Sequence, residues 1–374
     1  MESLLNFKLP TLPKLKNPQT GAIGLDMGFE QINLVQIDRI EGTFSIRAAT
    51  SVGYPSGRDN FLASSKSGKR LIRSILRDHP FRGKKITTTL PADQIKLMLV
   101  NFQGHNTTEQ LILKAVQERI NTGLESSVID YVVVNPRSEN QSQQSALVAI
   151  ADKQKIMDYL NWLNRCGLNV QVLEIGPIAI NRLLCAMYGD HLEMKVLAIN
   201  FGSKKSYLTV VWGRRLLLDR VIDYGLEQAL DTVSKSLHIG RNDAHRLLEQ
   251  HGFTTDTGSN RAHLIDGTDI SQALTEILIP FFRKLASEIN EVLLYTASET
   301  RGGTIEQINL FGSLARIHHT DKILDKLLSL PVATVKPFYG FSVNKDLLPA
   351  HELAPVSGIA VATGLALRGL LAHA

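Results

Sequence analysis

The chain has 374 residues, of which 44% are hydrophobic and 21% charged, with a formal charge of +5 and a pI near 9.1. Such a length exceeds what one hydrophobic core serves, so two or more subdomains are expected, and the composition excludes a disordered or fibrous chain. The mild positive balance bears on solubility and loose association, and aromatics at 6% are too sparse to supply the interleaved basic and stacking residues of a nucleic-acid surface.

Residues 1–20, with Pro10, Pro13 and Pro18 among Lys8, Lys14 and Lys16, read as a flexible lead-in. The opening Met1 to Lys8 has neither the basic nor the apolar region of a secretory leader, so none is expected. The stretch Ala22–Ile37 reads as one β-hairpin with Asp26-Met-Gly28 at its bend, and Thr43–Val52 as a third strand completing a meander. An acid and a glycine at the end of a buried strand make a place where backbone approaches a phosphate or a metal-bound water. One helix is predicted over Phe61–Leu76, with Leu62, Leu71, Ile72, Ile75 and Leu76 inward. Its other face and the following loop carry Lys66, Lys69, Arg70, Arg73, Arg77, Arg82, Lys84 and Lys85, which reads either as a solvated face or as a surface toward acidic lipid or an acidic partner. Ser67-Gly-Lys-Arg70 is no phosphate loop, because Ala63 stands where a Gly is needed and Arg70 where a hydroxyl would bind magnesium.

Strands follow at 85–90 and 95–102, then a helix opened by the capping pattern Thr107-Thr-Glu-Gln110. Strands at 128–134 and 146–151 flank a polar loop, and a helix runs from Lys153 to Arg165. Residues 84–168 therefore read as a subdomain inserted into a first domain made of 21–83 and 169–192. The second half repeats the pattern of the first: a strand from Lys195, a bend at Asn200-Phe-Gly202, two further strands, and a helix beginning at Gly225. Helices are predicted at 226–238, 241–251 and 271–299, the last kinked at Pro280. Gln307–Arg316 reads as a strand running into a Gly turn and a helix, and 354–368 as a small-residue helix able to pack closely. The second domain is taken as 193–371, with a helical subdomain at about 226–300.

Cys166 and Cys185 sit in apolar helical contexts that suit small core residues in a reducing compartment. Apolar runs of about 18 residues are absent, so no membrane span is expected. The fold class expected is α/β: duplicated domains flanking a cleft, with Asp26/Gly28 and Asn200/Gly202 brought to opposite sides of it. Such loops are a workable nucleotide phosphate clamp, with the turn Phe311-Gly-Ser313 under an adenine.

Taken together, these segments resemble the type IV pilus assembly protein PilM and its relatives, in the FtsA-like branch of the actin/Hsp70/sugar-kinase ATPases. The family's opening pattern, like Gly-Ile-Asp-Ile-Gly, is followed by Gly24, Leu25, Asp26, Met27 and Gly28. Its middle block is similar to Cys166-Gly-Leu168 and Glu174-Ile-Gly-Pro-Ile-Ala-Ile180, and its second phosphate block to Ile199-Asn-Phe-Gly202 with Arg220-Val-Ile and Gly225. Its adenosine block is similar to Leu310-Phe-Gly-Ser-Leu-Ala315 and its closing block to Ala362-Thr-Gly-Leu-Ala-Leu-Arg368. The resemblance covers about residues 20–371 and implies an actin-like, ribonuclease H-like fold. It also implies an ATP/Mg site built from Asp26, Gly28, Phe29, Glu30, Gln31, Asn200, Gly202, Ser203, Gly225, Gly312 and Ser313, with Asp26 holding magnesium through a bound water.

Several positions depart from the family pattern. Its hydroxylic loop is Phe29-Glu-Gln31 here, its Lys is Asn33, and the second block's Asp is Asn200. Glu30 places negative charge beside phosphate oxygens, Phe29 crowds them, and Asn200 removes a carboxylate that would help hold hydrated magnesium. The expectation is a cytoplasmic scaffold of a type IV or MSHA-type pilus machine, with nucleotide binding weak or lost and no ATP hydrolysis. It would sit at the cytoplasmic face of the inner membrane by docking the tail of a PilN-like protein, in a groove between the first domain and the inserted subdomain, alongside other pilus components. The alternatives are an active ATPase of the superfamily and an FtsA-like cell-division protein.

Overall fold

The computed structural model describes residues 19–28, 31–55, 57–103, 107–120, 124–134, 144–188, 194–213, 215–255, 264–265, 268–300, 302–343 and 359–371. Most of the lead-in, the loop residues Phe29 and Glu30, and most of the polar loop at 135–145 lie outside the described residues. The chain forms two compact units, one of residues 1–192, 211–219 and 337–374, the other of 193–210 and 220–336.

The first unit opens with β1 (Gln19–Thr20), β2 (Ile23–Met27), β3 (Gln31–Ile40) and β4 (Thr43–Gly53). The hairpin and meander read from the sequence are present: β2 and β3 are antiparallel with Asp26 opposite Asn33, and β3 and β4 are antiparallel with a register shift at Gln36/Ile37. Every residue from Ile32 to Asp38 is buried, the mark of a strand covered on both faces. The single helix expected over 61–76 is instead two, α1 (Arg58–Ala63) and α2 (Ser65–Asp78). Ser64 breaks them: it is extended, and its side chain accepts from the Ser67 amide as the N-cap of α2.

After β5 (Lys85–Thr89) the chain leaves the main sheet through β6 (Ile95–Phe102), α3 (Thr108–Gln117), β7 (Ser127–Val134), β8 (Gln144–Asp152) and α4 (Lys153–Arg165). β6, β8 and β7 form a small antiparallel sheet in that order. It has its own apolar core of Val100, Phe102, Ile112, Val116, Ala146, Val148 and Ile150. The inward face of α4 joins the main core instead, with Tyr159, Trp162 and Leu163 against Phe61, Ile72 and Ile75. Gly68 permits that approach, since a Cβ there would lie 2.4 Å from the Trp162 ring. β9 (Asn169–Glu174) then returns parallel to β5, and α5 (Gly176–Tyr188) follows.

The second unit contains β10 (Lys195–Phe201), most of β11 (Ser206–Trp212) and the last three residues of β12 (Arg215–Ile222), then α6 (Leu226–Leu237) and α7 (Arg241–His251). The short pair β13 (Leu264–Ile265) and β14 (Thr268–Asp269) precedes α8 (Ile270–Glu299), which holds Pro280 within its 30 residues. β15 (Gln307–Gly312), α9 (Thr320–Leu328) and β16 (Val332–Thr334) complete it, a 3-10 turn at Leu314–Arg316 standing between β15 and α9. The first sheet runs β4-β3-β2-β5-β9, with β17 (Ser342–Val343) added beside β4, and the second runs β12-β11-β10-β15-β16. In each, the third, second, first, fourth and fifth strands lie in that order, so the repeat read from the sequence is a repeat of topology.

The closing helix α10 (Ala360–Leu371) follows the second unit in sequence but packs in the first. Its small residues explain how close it comes. A Cβ on Gly24 of β2 would stand 2.1 Å from the Ala362 carbonyl oxygen, and one on Gly364 would stand 2.0 Å from the Ala179 oxygen of α5. Arg182 locks the same layer, donating to Glu174 at 2.6 and 2.9 Å and to the Gly364 oxygen at 3.0 Å. Gly24→Ala is therefore expected to cost about 2 kcal/mol or more by overpacking, read as a shift in the urea midpoint. Gly176→Ala, where a Cβ meets nothing within 4 Å, is expected to leave that midpoint within about 0.5 kcal/mol of wild type.

Candidate functional site

In the first unit the expected site residues Asp26, Gly28 and Gln31 lie around the bend between β2 and β3; Phe29 and Glu30 are outside the described residues. The antiparallel register places Asp26, Asn33 and Ser51 in one row across β2, β3 and β4. Asn33 Nδ2 donates to Asp26 Oδ2 at 3.0 Å, and Ser51 Oγ donates to Asn33 Oδ1 at 2.7 Å. Gly28 is held beside this row. Tyr54 OH donates to its carbonyl oxygen at 2.7 Å, and a Cβ on it would lie 3.0 Å from the Gln31 oxygen.

Burial raises the Asp26 carboxyl to about 6, against the lowering effect of the Asn33 hydrogen bond. Burial, with the Asp26 charge behind it, also raises the Tyr54 hydroxyl. For Tyr159 burial is again the largest cause of a raised value, opposed by its contact with Thr88 at 3.2 Å and reinforced by Asp26. Both phenols therefore stay protonated. Two other acids of this sheet, the buried Asp38 and the half-buried Glu174, are treated differently. Asp38 takes Arg47 at 2.6 and 2.9 Å, and Glu174 takes Arg182. Asp26 has an amide where they have a cation. Among the described residues no cluster of three or more His, Cys, Asp or Glu could hold a metal.

The second unit gathers the other six expected residues, Asn200, Gly202, Ser203, Gly225, Gly312 and Ser313, at the ends of β10 and β15 and the start of α6. Parallel pairing sets Asn200 beside Phe311 and Phe201 beside Gly312. Gly312 has φ +84, and a Cβ there would stand 2.1 Å from the Phe201 oxygen. Ser313 then stitches the two strand ends: its amide donates to Phe201 O at 2.8 Å and its Oγ to Gly202 O at 2.9 Å.

A helix N-terminus is an anion-binding end because its first amides lack partners inside the helix. Here the chain supplies acceptors for the first two. Leu226 N donates to Gly202 O at 3.2 Å, Glu227 N to Ser203 O at 2.8 Å, and Gly225 N to the Gln228 side chain at 2.9 Å. A Cβ on Gly225 would stand 2.3 Å from Ser203 O, so the loop itself demands this glycine. The Gly202 amide is likewise taken by Lys205 O at 3.0 Å. Ser203 Oγ donates to Glu227 at 2.8 Å, and Arg241 pairs with the same carboxylate at 3.3 Å. The anion at this helix end is the chain's own Glu227, placed favourably in the first turn.

Asn33, Ser51, Tyr54 and Glu227 are neighbours of these loops that the motif reading did not place in the site. The hairpin register carries the signal for the first, since residues facing Asp26 across β2 and β3 follow once the turn is fixed.

One prediction concerns Asp26. Its folded-state value lies above the ordinary 3.8, so the folded chain holds a proton that the unfolded chain has released between about pH 4 and 6. Stability falls as pH rises through that window, by up to about 3 kcal/mol for a shift of about two units. Asp26→Asn is expected to remove this loss, giving a variant roughly 2–3 kcal/mol more stable than wild type at pH 7.5 and equal to it at about pH 3.5, measured by urea unfolding at both.

Comparison with known proteins agrees with this architecture. A structure of the "PilM-PilN type IV pilus biogenesis complex" superposes with TM-score 0.74 at 20% identity, over 96% of this chain and 99% of that one. The ethanolamine utilization protein EutJ from Carboxydothermus hydrogenoformans matches with TM-score 0.53 at 12% identity, covering 95% of this chain and 92% of its own. MreB 5 of Spiroplasma citri bound to AMPPNP matches with TM-score 0.50 at 16% identity, covering 94% and 95%. At these identities the likeness is one of fold, and the fold is that of actin-like proteins. The profile of the family described as type IV pilus assembly protein PilM matches residues 24–370, nearly the whole chain, and the chain belongs to that family.

Proposed function

We propose that this protein is an actin-like scaffold of the type IV pilus assembly machine, docked at the cytoplasmic face of the inner membrane through the cytoplasmic tail of a PilN-like protein, and that its nucleotide site is vestigial. The whole-length likeness to the PilM–PilN complex supports the docking. The groove proposed for the tail lies where the small sheet and α4 meet the main sheet. There Arg58 of α1 reaches Asp93 at 2.7 Å, while Phe61 and Trp162 belong to the buried main core.

The observation that carries the loss of nucleotide is the closed loop cluster of the second unit. The amides of Gly202, Gly225, Leu226, Glu227 and Ser313 are all bonded within the chain. A phosphate would have to displace those bonds and also face the Glu227 carboxylate. Asp26 retains an acid suited to a hydrated cation, yet one carboxylate beside an amide is a weak magnesium site unless phosphate oxygens complete the shell. With Asn200 in place of a second acid, no carboxylate of the β10 bend assists.

Calorimetry provides the test. Titration with ATP and magnesium is expected to give no heat of binding tighter than about 1 mM, a free energy near −4 kcal/mol. Micromolar affinity with turnover would contradict the vestigial site. Titration with a synthetic PilN-like tail is expected to give a dissociation constant below about 100 μM, and silence in that titration would contradict the scaffold reading.

A further inference from the structure

One surface feature is used neither by the fold nor by the loops above. On α2 the side chains of Lys66, Arg70, Arg73 and Arg77 are exposed, while Gly68, Ile72 and Ile75 face the core. Their spacing of four, three and four residues sets them in one stripe along the helix, about 16 Å long at 1.5 Å per residue. Like charges at this spacing oppose the helix, so the stripe is not there to stabilise it. Only Arg77 has an ion-pair partner among the described residues, the exposed Asp78.

The segment that follows continues the charge. Arg82, Lys84 and Lys85 are exposed, and their backbone is fixed to the sheet by the buried Gln36. Its side chain donates to Arg82 O at 2.8 Å and accepts from Arg82 N at 2.7 Å, while Asn169 N donates to Lys84 O at 2.8 Å. From Ser64 to Lys85 there are eight Lys or Arg residues and one acid, a local net charge of +7, whereas the whole chain carries +5. The rest of the chain is thus net −2, and the protein's positive character resides in this one segment.

We infer that the α2 stripe, extended by residues 82–85, is a contact surface for an anionic lipid bilayer. The geometry points to lipid because the cations lie in a row on the outside of a helix and are long, hydrated side chains over a packed apolar base. That presents charge to a plane of headgroups and encloses nothing. No exposed aromatic side chain interleaves with the stripe for base stacking: Phe61 is buried, and Tyr54 and Phe81 are partly buried against the core. This contact is direct, and so goes beyond attachment through a PilN-like tail. It stands on α2 alone and does not depend on that docking.

The test uses the full chain, with no partner peptide, in sedimentation with sucrose-loaded vesicles. Binding is expected to vesicles with about 30% phosphatidylglycerol and not to pure phosphatidylcholine, and it should disappear at roughly 0.5 M salt, where screening is nearly complete within a few ångströms. Each cation near an anionic surface contributes about fivefold in affinity, so Lys66→Glu, Arg70→Glu and Arg73→Glu together should weaken binding by about a hundredfold or more. A control with the same charge change elsewhere, at the exposed Lys235, Arg283 and Lys284, should lose less than about fivefold of the vesicle affinity. Circular dichroism melts of both variants establish that they are folded. Equal losses in the two variants would overturn the assignment to α2, as would salt-insensitive binding. Tighter binding of wild type to a single-stranded oligonucleotide or a polyglutamate peptide than to the anionic vesicles, at matched salt, would overturn the assignment to lipid. A tail-binding failure in calorimetry leaves every one of these readouts unchanged, so the two proposals fail separately.

Discussion

The structure depends on backbone meeting backbone at positions where no Cβ can stand. Gly24 lets α10 lie on β2, Gly364 lets the same helix lie on α5, Gly225 admits the Ser203 carbonyl, and Gly312 admits the Phe201 carbonyl. Any of the four with a side chain would put carbon within 2.3 Å of an oxygen, a distance that only movement of a packed element could relieve. Gly24, Gly225 and Gly312 belong to the motifs that suggest a nucleotide, and Gly364 to the closing block. In this chain the protein's own main chain is a sufficient reason for each.

The polar groups tell a complementary story. Two acids of the first sheet, the buried Asp38 and the half-buried Glu174, are matched by arginines with two contacts each. Among the described residues Asp26 has Asn33, itself held by Ser51, and burial is the largest cause of its raised pKa. In the second unit the loops close on themselves through Ser313, Gln228 and Glu227.

Much of the fold was legible in the sequence because strand patterning and turn residues repeat in the two halves. The hairpin at Ala22–Ile37, the bend at Asn200–Gly202, and the helix starting after Gly225 are where the residues indicated. The break at Ser64 was not read, because Leu62 and Leu71 on either side of it continue one apolar stripe and the cap works through a hydroxyl that also suits a helix interior. The six second-unit site residues do come together, as their motifs implied. What motif reading could not supply was the use to which they are put: that the Gly225 amide would meet Gln228, or that Glu227 would face Ser203, depends on side-chain directions fixed only by the folded loop. The place of α10 in the first unit is likewise a matter of long-range packing, in which Gly24 and Ala362 meet across most of the chain.

The central claim is that the second-unit loop cluster at Gly202, Gly225 and Ser313 is already closed by the chain's own hydrogen bonds. Amide hydrogen exchange at Gly202, Leu226, Glu227 and Ser313, followed with and without ATP and magnesium, addresses it at those hydrogens themselves. The account predicts slow exchange at these amides in the free protein and no change when millimolar nucleotide is added. Fast exchange in the free protein, slowed by nucleotide, would contradict it.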